Sequence, residues 1–227
     1  MIPTSRSPEA YTAPVEDYLK AIYELERAAG AASTNDIAQR LAIAPASVSG
    51  MVRRLADQGL LEHERYHGVK LTDEGRRVAL RTIRRHRVIE AYLTRALGYP
   101  WDLVHAEAER LEHAASDELI DRMAAAIGEP TVDPHGAPIP TREGEIDERL
   151  HLSLADLGPG ERGRIVRVSD DDAARLRYLG ECGLRPEVEV TIIERAPFGG
   201  PIHLRAGDTE QRIGPALAAV VEVERLD

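Results

Sequence analysis

The spacing of apolar residues changes character once along this chain, and that change decides what it can fold into. Up to Ile127 the apolar positions recur every three or four residues, as amphipathic helices require; from His151 onward they come as short β-branched runs. Between the two lies Glu129 to Gly144, containing Asp133-Pro134-His135-Gly136-Ala137-Pro138-Ile139-Pro140, which reads as an extended, partly stiff connection. With 227 residues and 43% apolar content, the chain is long enough for two or three small cores. Its fold class is therefore mainly α with a small β domain. Boundaries are expected at 1–76, 77–147 and 148–227.

The helical part is punctuated in a specific order. Residues 1–13 are polar and without period. Pro14 suits a first helical turn, and Val15, Tyr18, Leu19, Ile22 and Tyr23 form one stripe, ended by Gly30. Ser33-Thr34-Asn35-Asp36 starts a second helix with Ile37, Ala38 and Leu41 on its apolar face. A short break from Ala42 to Pro45 precedes a third, striped by Val48, Val52 and Leu55, with Gly59 as its left-handed stop. Leu60-Leu61 and Val69-Lys70-Leu71, separated by a charged tip, then read as a β-hairpin, and Thr72 caps a long helix to about Leu97. Helix, helix, tight break, helix, hairpin is the order of a winged helix-turn-helix. A further long helix is expected from Asp102 to about Ile127. In the last third, strands are expected around Ile165–Val168, Val188–Ile193, Ile202–Leu204 and Val220–Val223. A short helix at Asp171–Glu181 completes a small β-barrel.

Charge sharpens this division. The net charge of −10 argues at first against nucleic acid. Counted by position, however, residues 1–87 carry +3 and residues 88–227 carry −13, while 40–87 alone carry +6. The groove-reading segment is thus basic, and local fields, not the sum, steer a charged partner. Nine aromatics in the whole chain speak against stacking platforms for single-stranded bases or sugars. The single cysteine, Cys182, allows no internal disulfide, there is no secretory signal, and no apolar run approaches the 18 or more residues of a membrane span. A cytoplasmic protein with no membrane partner is the expectation.

The acidic part holds the chemistry. At about 100° per residue, Glu109, Glu112 and His113 fall at about 40°, −20° and 80° from His105, so two imidazoles and two carboxylates share one helix face. His86 and Glu90, at i and i+4, share a face of the preceding helix. Such groups are costly to bury as free charges and inexpensive when a dication neutralises them. A solvated polar helix surface is the alternative. Val104, Ala108, Leu111, Ala115 and Leu119 give the same helix a core face as well. A hydrolytic His-Glu-x-x-His site does not fit, because Glu112 and His113 are adjacent and no second His follows at four residues. A donor set of oxygen and imidazole without Cys or Met suits Mn2+, with Fe2+ next.

Taken together these motifs resemble the diphtheria-toxin-repressor family of metal-dependent transcriptional regulators, of the manganese-responsive three-domain type. The match runs through Asp17-Tyr18-Leu19-Lys20-Ala21-Ile22-Tyr23, Leu71-Thr72-Asp73-Glu74-Gly75-Arg76-Arg77, Arg84-Arg85-His86-Arg87, Val104 to Glu109, Leu111 to Asp117, and Asp133 to Pro140. The resemblance implies a winged helix-turn-helix, a helical dimerisation domain and a C-terminal Src-homology-three-like barrel. It implies an ancillary metal site of His86, Glu90 and His105, and a regulatory site of Asp17, Glu109, Glu112 and His113. Iron-type members carry Met and Cys where this chain has Asp17 and Glu109, which agrees with the hard-donor argument. Two-domain manganese members carry Glu where Lys20 stands. A ligand lent by the third domain is assigned to Asp172, with Arg175 where an amide would be.

The implied mechanism joins the first helix to the second domain through a metal held by Asp17, Glu109, Glu112 and His113. A homodimer would then present its third helices to successive major grooves, about 34 Å apart. Thr34, Asn35, Ser47, Ser49, Arg53, Arg65 and His67 are the candidate contacts to double-stranded operator DNA, suited to phosphate and shape more than to base edges. Gly50 stands where iron-type repressors use Gln for a base contact. Val88, Tyr92, Leu93, Leu97 and Trp101 are the candidate dimer residues, with the core of the chain itself as their alternative place. No small-molecule substrate and no enzymatic activity are expected. Two other readings stay open: a winged-helix regulator not gated by metal, and an enzyme or metal-storage module using the acidic half.

Overall fold

The computed structural model describes residues 11–64 and 68–227. In its amino-terminal part, α1 (Ala13–Ala29), α2 (Thr34–Arg40) and α3 (Pro45–Asp57) are followed by β1 (Leu61–Glu64), β2 (Gly68–Leu71) and the 25-residue α4 (Asp73–Leu97). The starts and stops follow the side chains at the helix ends. Pro14 occupies the first turn of α1 and Gly30 closes it at φ 81°. Ser33 caps α2 by accepting from the Asp36 N–H at 3.1 Å, and Thr72 caps α4 by accepting from the Gly75 N–H at 3.1 Å. Val48, Val52 and Leu55 bury the inner stripe of α3, leaving Ser47, Ser49 and Arg53 exposed on its outer face. Thr34 is half-buried and Asn35 exposed at the start of α2. β1 and β2 pair antiparallel from Leu61↔Leu71 to Glu64↔Gly68. Ala32 and Val69 exchange both backbone hydrogen bonds, tying the α1–α2 turn to the hairpin. Arg65 and His67, the wing candidates, lie outside the described residues.

The carboxy-terminal part differs from expectation in one helix. Asp102 does not open a helix running to Ile127. The segment instead forms α5 (Val104–Leu111) and α6 (Asp117–Ala126). The break has a local cause: Ser116 accepts from the Leu119 N–H at 3.2 Å, an N-cap followed at once by Asp117 and Glu118. The apolar period runs across this cap and hides it. Asp102 pairs with Arg177 at 2.9 Å.

Beyond the connection, β3 (Leu152–Ser153), β4 (Arg162–Val168), β5 (Glu189–Arg195), β6 (Ile202–Ala206), β7 (Thr209–Ile213) and β8 (Val221–Leu226) form one six-stranded sheet. Its order is β3-β8-β4-β5-β6-β7 and every pairing is antiparallel. The sheet ends at β3 and β7 without closing, so the barrel is of the loose Src-homology-three-like kind. Two short helices, α7 (Ala173–Glu181) and α8 (Pro215–Ala218), lie in its connections. The strand β7 escaped the sequence reading because only Ile213 of Thr209–Ile213 is buried, so no alternation shows.

The chain groups into two compact units: residues to Arg84 with Arg142–Gly144, and Arg85–Thr141 with Glu145–Asp227. Within the second unit the helical and barrel segments share core and backbone. Trp101, just past α4, is buried in the barrel core beside Leu176, Leu179 and Ile165. The Val168 N–H donates to the His135 carbonyl at 2.9 Å. A Cβ on Gly136, at φ 87°, would come 1.9 Å from the Val166 carbonyl oxygen, an approach only glycine permits. The Asp133–Pro140 connection is thus packed against β4 rather than spanning free. A second core joins Val88, Ile89, Leu93, Val104, Ala108, Ile120 and Ile139. Val88, Leu93 and Trp101, expected at the dimer surface, are therefore core residues of the chain itself. Leu97 remains exposed, together with Leu103, Leu111 and Leu119.

Candidate metal centre

His86 and Glu90 lie one turn apart on α4, and His105 lies in the first turn of α5, so packing of the two helices brings three donors together. Nε2 of His86 is 3.0 Å from Glu90 Oε1 and 3.1 Å from Nδ1 of His105. Nδ1 of His105 is 3.4 Å from the same Glu90 oxygen. The fourth member is Asp170, which follows β4: its Oδ2 lies 3.5 Å from His105 Nδ1. All four offer donor atoms within 4.8 Å of one another. Glu90 is fully buried, and neither of its carboxylate oxygens makes a hydrogen bond of acceptable geometry.

Asp172, the expected donor from the third domain, does not take this position. Its Oδ1 accepts from the backbone N–H groups of Ala174 and Arg175, at 2.9 and 3.0 Å, as the N-cap of α7. Three Asp in a row precede that helix, and the one that caps cannot be told from its neighbours by composition. Asp170 is the residue that faces the imidazoles. Asp133 and His135 were also missed, since a Pro-Gly context reads as a connection. Both are buried, and with Glu90 they form another group within 4.8 Å. The signal that could have found them is an acidic residue and a histidine two apart in a segment otherwise built of Pro, Gly and Ala.

A set on the other side of His86 involves its second ring nitrogen. Nδ1 is 2.5 Å from Glu112 Oε2 and 3.6 Å from Glu109 Oε1. His113 Nε2 lies 3.5 Å from Glu112 Oε1. Glu109 is on α5, while Glu112 and His113 stand at and just beyond its carboxyl end. The four expected donors do not share one helix face: His113 lies past the end of α5, and His86 sits between the two expected ligand groups. Asp17 is half-buried on α1 in the amino-terminal unit, and its membership rests on the sequence match.

The donors act strongly on one another. Burial opposes ionisation of Glu90, but the adjacent His86 and His105 rings outweigh it and hold its pKa at about 2. Burial likewise opposes a charge on His105, yet Asp170 and Glu90 hold its pKa up at about 10. The imidazoles of His105, His135 and His86 keep Asp170 well below the usual carboxylate range, again against burial. Asp133 goes the other way, pushed up to about 6 by burial and by the Glu90 charge, against Arg87 and His135. Orphaned buried oxygens beside imidazoles, with no thiol or thioether in the set, fit a hard or borderline divalent cation.

Comparison with known proteins identifies the family. Three family models match in order: the iron dependent repressor N-terminal DNA binding domain over residues 11–69, the iron dependent repressor metal binding and dimerisation domain over 72–141, and the FeoA domain over 152–225. The iron-dependent repressor IdeR of Mycobacterium leprae (strain TN) is 30% identical, the match covering 93% of this chain and 96% of that protein. The HTH-type transcriptional regulator MntR of Lysinibacillus sphaericus (strain C3-41) is 36% identical over 116 residues, 51% of this chain and 83% of that one. A solved manganese-dependent transcriptional repressor in complex with manganese has a TM-score of 0.86 and 37% identity, covering 93% of this chain and 100% of its own. With all three segments matched in sequence and fold, the chain belongs to the diphtheria-toxin-repressor family of metal-dependent transcriptional regulators.

Proposed function

We propose that this protein is a manganese-responsive repressor that binds operator DNA as a homodimer when loaded with metal. The observation that carries the reading is the buried cluster of His86, Glu90, His105 and Asp170, whose donors are all imidazole or carboxylate. Sulfur donors, which favour softer ions, are absent from this cluster and from the Glu109–Glu112–His113 set, so Mn2+ is preferred over Fe2+. When bound, a divalent cation neutralises carboxylates that otherwise repel one another, and it adds bonds between the elements carrying them.

The chain's own residues do the rest. His86, Glu90, His105 and Asp170 hold one position. Glu109, Glu112 and His113 hold a regulatory position, to which the family resemblance adds Asp17. Ser47, Ser49 and Arg53 on the exposed face of α3, with Thr34 and Asn35 at the start of α2, contact the DNA backbone and groove. The dimer uses the exposed apolar residues of the helical segment, Leu97, Leu103, Leu111 and Leu119, of which Leu97 is 59% exposed.

The test is operator affinity of chelated protein titrated with Mn2+, anaerobic Fe2+ and Zn2+, using DNA from the promoter region of its own target genes. Affinity that rises steeply with Mn2+ and less with Fe2+ supports the reading. Equal affinity in chelator and in Mn2+ refutes metal gating, and equal activation by all three ions refutes the manganese preference.

A further inference from the structure

The cluster of buried donors extends past the four that one cation would use. On the far side of Glu90 stand Asp133 and His135. His135 Nδ1 is 3.9 Å from Glu90 Oε2 and 3.9 Å from Asp170 Oδ2. Its other nitrogen, Nε2, donates to the Trp101 carbonyl at 2.7 Å. A carbonyl only accepts, so Nε2 donates there, and Nδ1 is the ring atom left to offer a lone pair to a cation. That atom and the two carboxylates converge on one buried spot, where a cation would meet all three. Asp133 is held similarly: its Oδ1 accepts from the backbone N–H groups of His135 and Ala137, at 2.8 and 2.9 Å, while Oδ2 is buried without a hydrogen-bond partner. Both Glu90 oxygens, Asp133 Oδ2 and His135 Nδ1 are buried without a hydrogen-bond partner. Buried groups of this kind are nearly always satisfied, and four at one spot need a common explanation.

We propose that this pocket is a two-cation centre bridged by Glu90. One ion is held by His86 Nε2, His105 Nδ1, Glu90 and Asp170; the second is held by the remaining Glu90 oxygen, Asp133 Oδ2 and His135 Nδ1, with Asp170 within reach of both. This inference rests on the metal-dependent reading above and specifies its stoichiometry. A bridging carboxylate places two ions roughly 3.5–4 Å apart or slightly more. Arg87 sets the limit on charge: its Nε is 3.8 Å from Asp133 Oδ2, beyond a hydrogen bond, and it offsets one of the three carboxylates. The half-buried side of His105 and Asp170 admits water or hydroxide to complete the coordination. The second ion is a hard divalent cation of the same class, because its donors are two carboxylates and one imidazole.

The experiment combines Mn2+ counting by native mass spectrometry with electron paramagnetic resonance at saturating Mn2+, on the full chain. The expected wild-type result is a spin-coupled pair, whose spectrum lacks the six-line pattern of an isolated ion, beside the separate ion of the regulatory position. Asp133→Asn keeps the Oδ1 acceptor for the two backbone N–H groups and removes the charge. It should lose one Mn2+ per protomer and convert the coupled signal to a six-line signal. His135→Ala should do the same, and circular dichroism establishes that both variants are folded. A wild type showing only isolated Mn2+ at saturation overturns the two-cation centre. So does Asp133→Asn with unchanged count and unchanged spectrum. A single ion at His86, Glu90, His105 and Asp170, with Mn2+-dependent operator binding intact, would defeat this inference alone. Failure to bind Mn2+ at all would defeat the functional reading as well.

Discussion

The pocket around Glu90 and the set around Glu112 use the same kinds of side chain and share His86, yet they are held very differently. Around Glu90 the donors come from α4, α5, the Asp133–Pro140 connection and the segment after β4, all within one compact unit. Each is fixed by something other than a ligand: Asp133 by two backbone N–H groups, His135 by the Trp101 carbonyl, and the connection itself by the bond between Val168 and His135. Around Glu112 the donors stand at the end of α5, where the helix stops. Glu109 is 42% exposed there. A preorganised pocket binds an ion whether or not DNA is near. A set that must be completed responds to the ion by changing what the chain can hold. Under the proposed function, the first would be a place to load metal and the second the place where loading becomes a signal.

The sharpest test of this contrast is Glu112→Ala. It should abolish Mn2+-dependent operator binding, by about 100-fold or more, with the ions at Glu90 still counted by mass spectrometry. If operator affinity survives, the signalling role belongs elsewhere. Next in size is Gly136→Ala. The added Cβ would meet the Val166 carbonyl, and φ 87° costs a further ~1–2 kcal/mol for a residue with a side chain. Thermal melts should show a clear loss of stability, and Mn2+ should leave the Glu90 pocket first. Retained affinity there would mean that the pocket does not depend on the docked connection.

A smaller effect is expected from pH. His105 in the metal-free chain holds its proton up to about 10, so at neutral pH an incoming cation must displace it. Below that value Mn2+ affinity should therefore rise with pH, by up to about tenfold per unit for one proton released. Calorimetry in buffers of different ionisation enthalpy measures that proton, and His105→Gln should remove it. Smallest of all is Asp172→Ala, which loses the cap of α7. The melting temperature should fall slightly while the Mn2+ count stays the same, whereas Asp170→Asn should lower the count.

The sequence announced most of the elements because their ends carry explicit chemistry: Pro14, Gly30, Ser33 and Thr72 each stop or start a helix where expected. The i, i+4 spacing of His86 and Glu90 was legible too, since 100° steps need no tertiary information, and both lie on α4 with His105 on α5. What it hid depends on long-range packing. Asp170 and Asp172 are chemically the same residue two positions apart, and only the start of α7 decides which one caps. Asp133 and His135 become donors because Gly136 lets the backbone touch β4. Ser116 interrupts a helix whose apolar rhythm continues across the gap. Val88 and Leu93 have the composition of an interface and turn out to be core, because periodicity reports that a face is covered but not by which chain.

Trp101 is the only tryptophan in the chain. Its carbonyl holds His135, its indole lies in the barrel core, and the Arg185 guanidinium sits 4.4 Å from the ring centre. The protein thus carries a built-in fluorophore at the joint between its metal pocket and its last domain. If the Glu90 pocket takes metal as proposed, its filling should change that intrinsic emission, with no label attached and no DNA present.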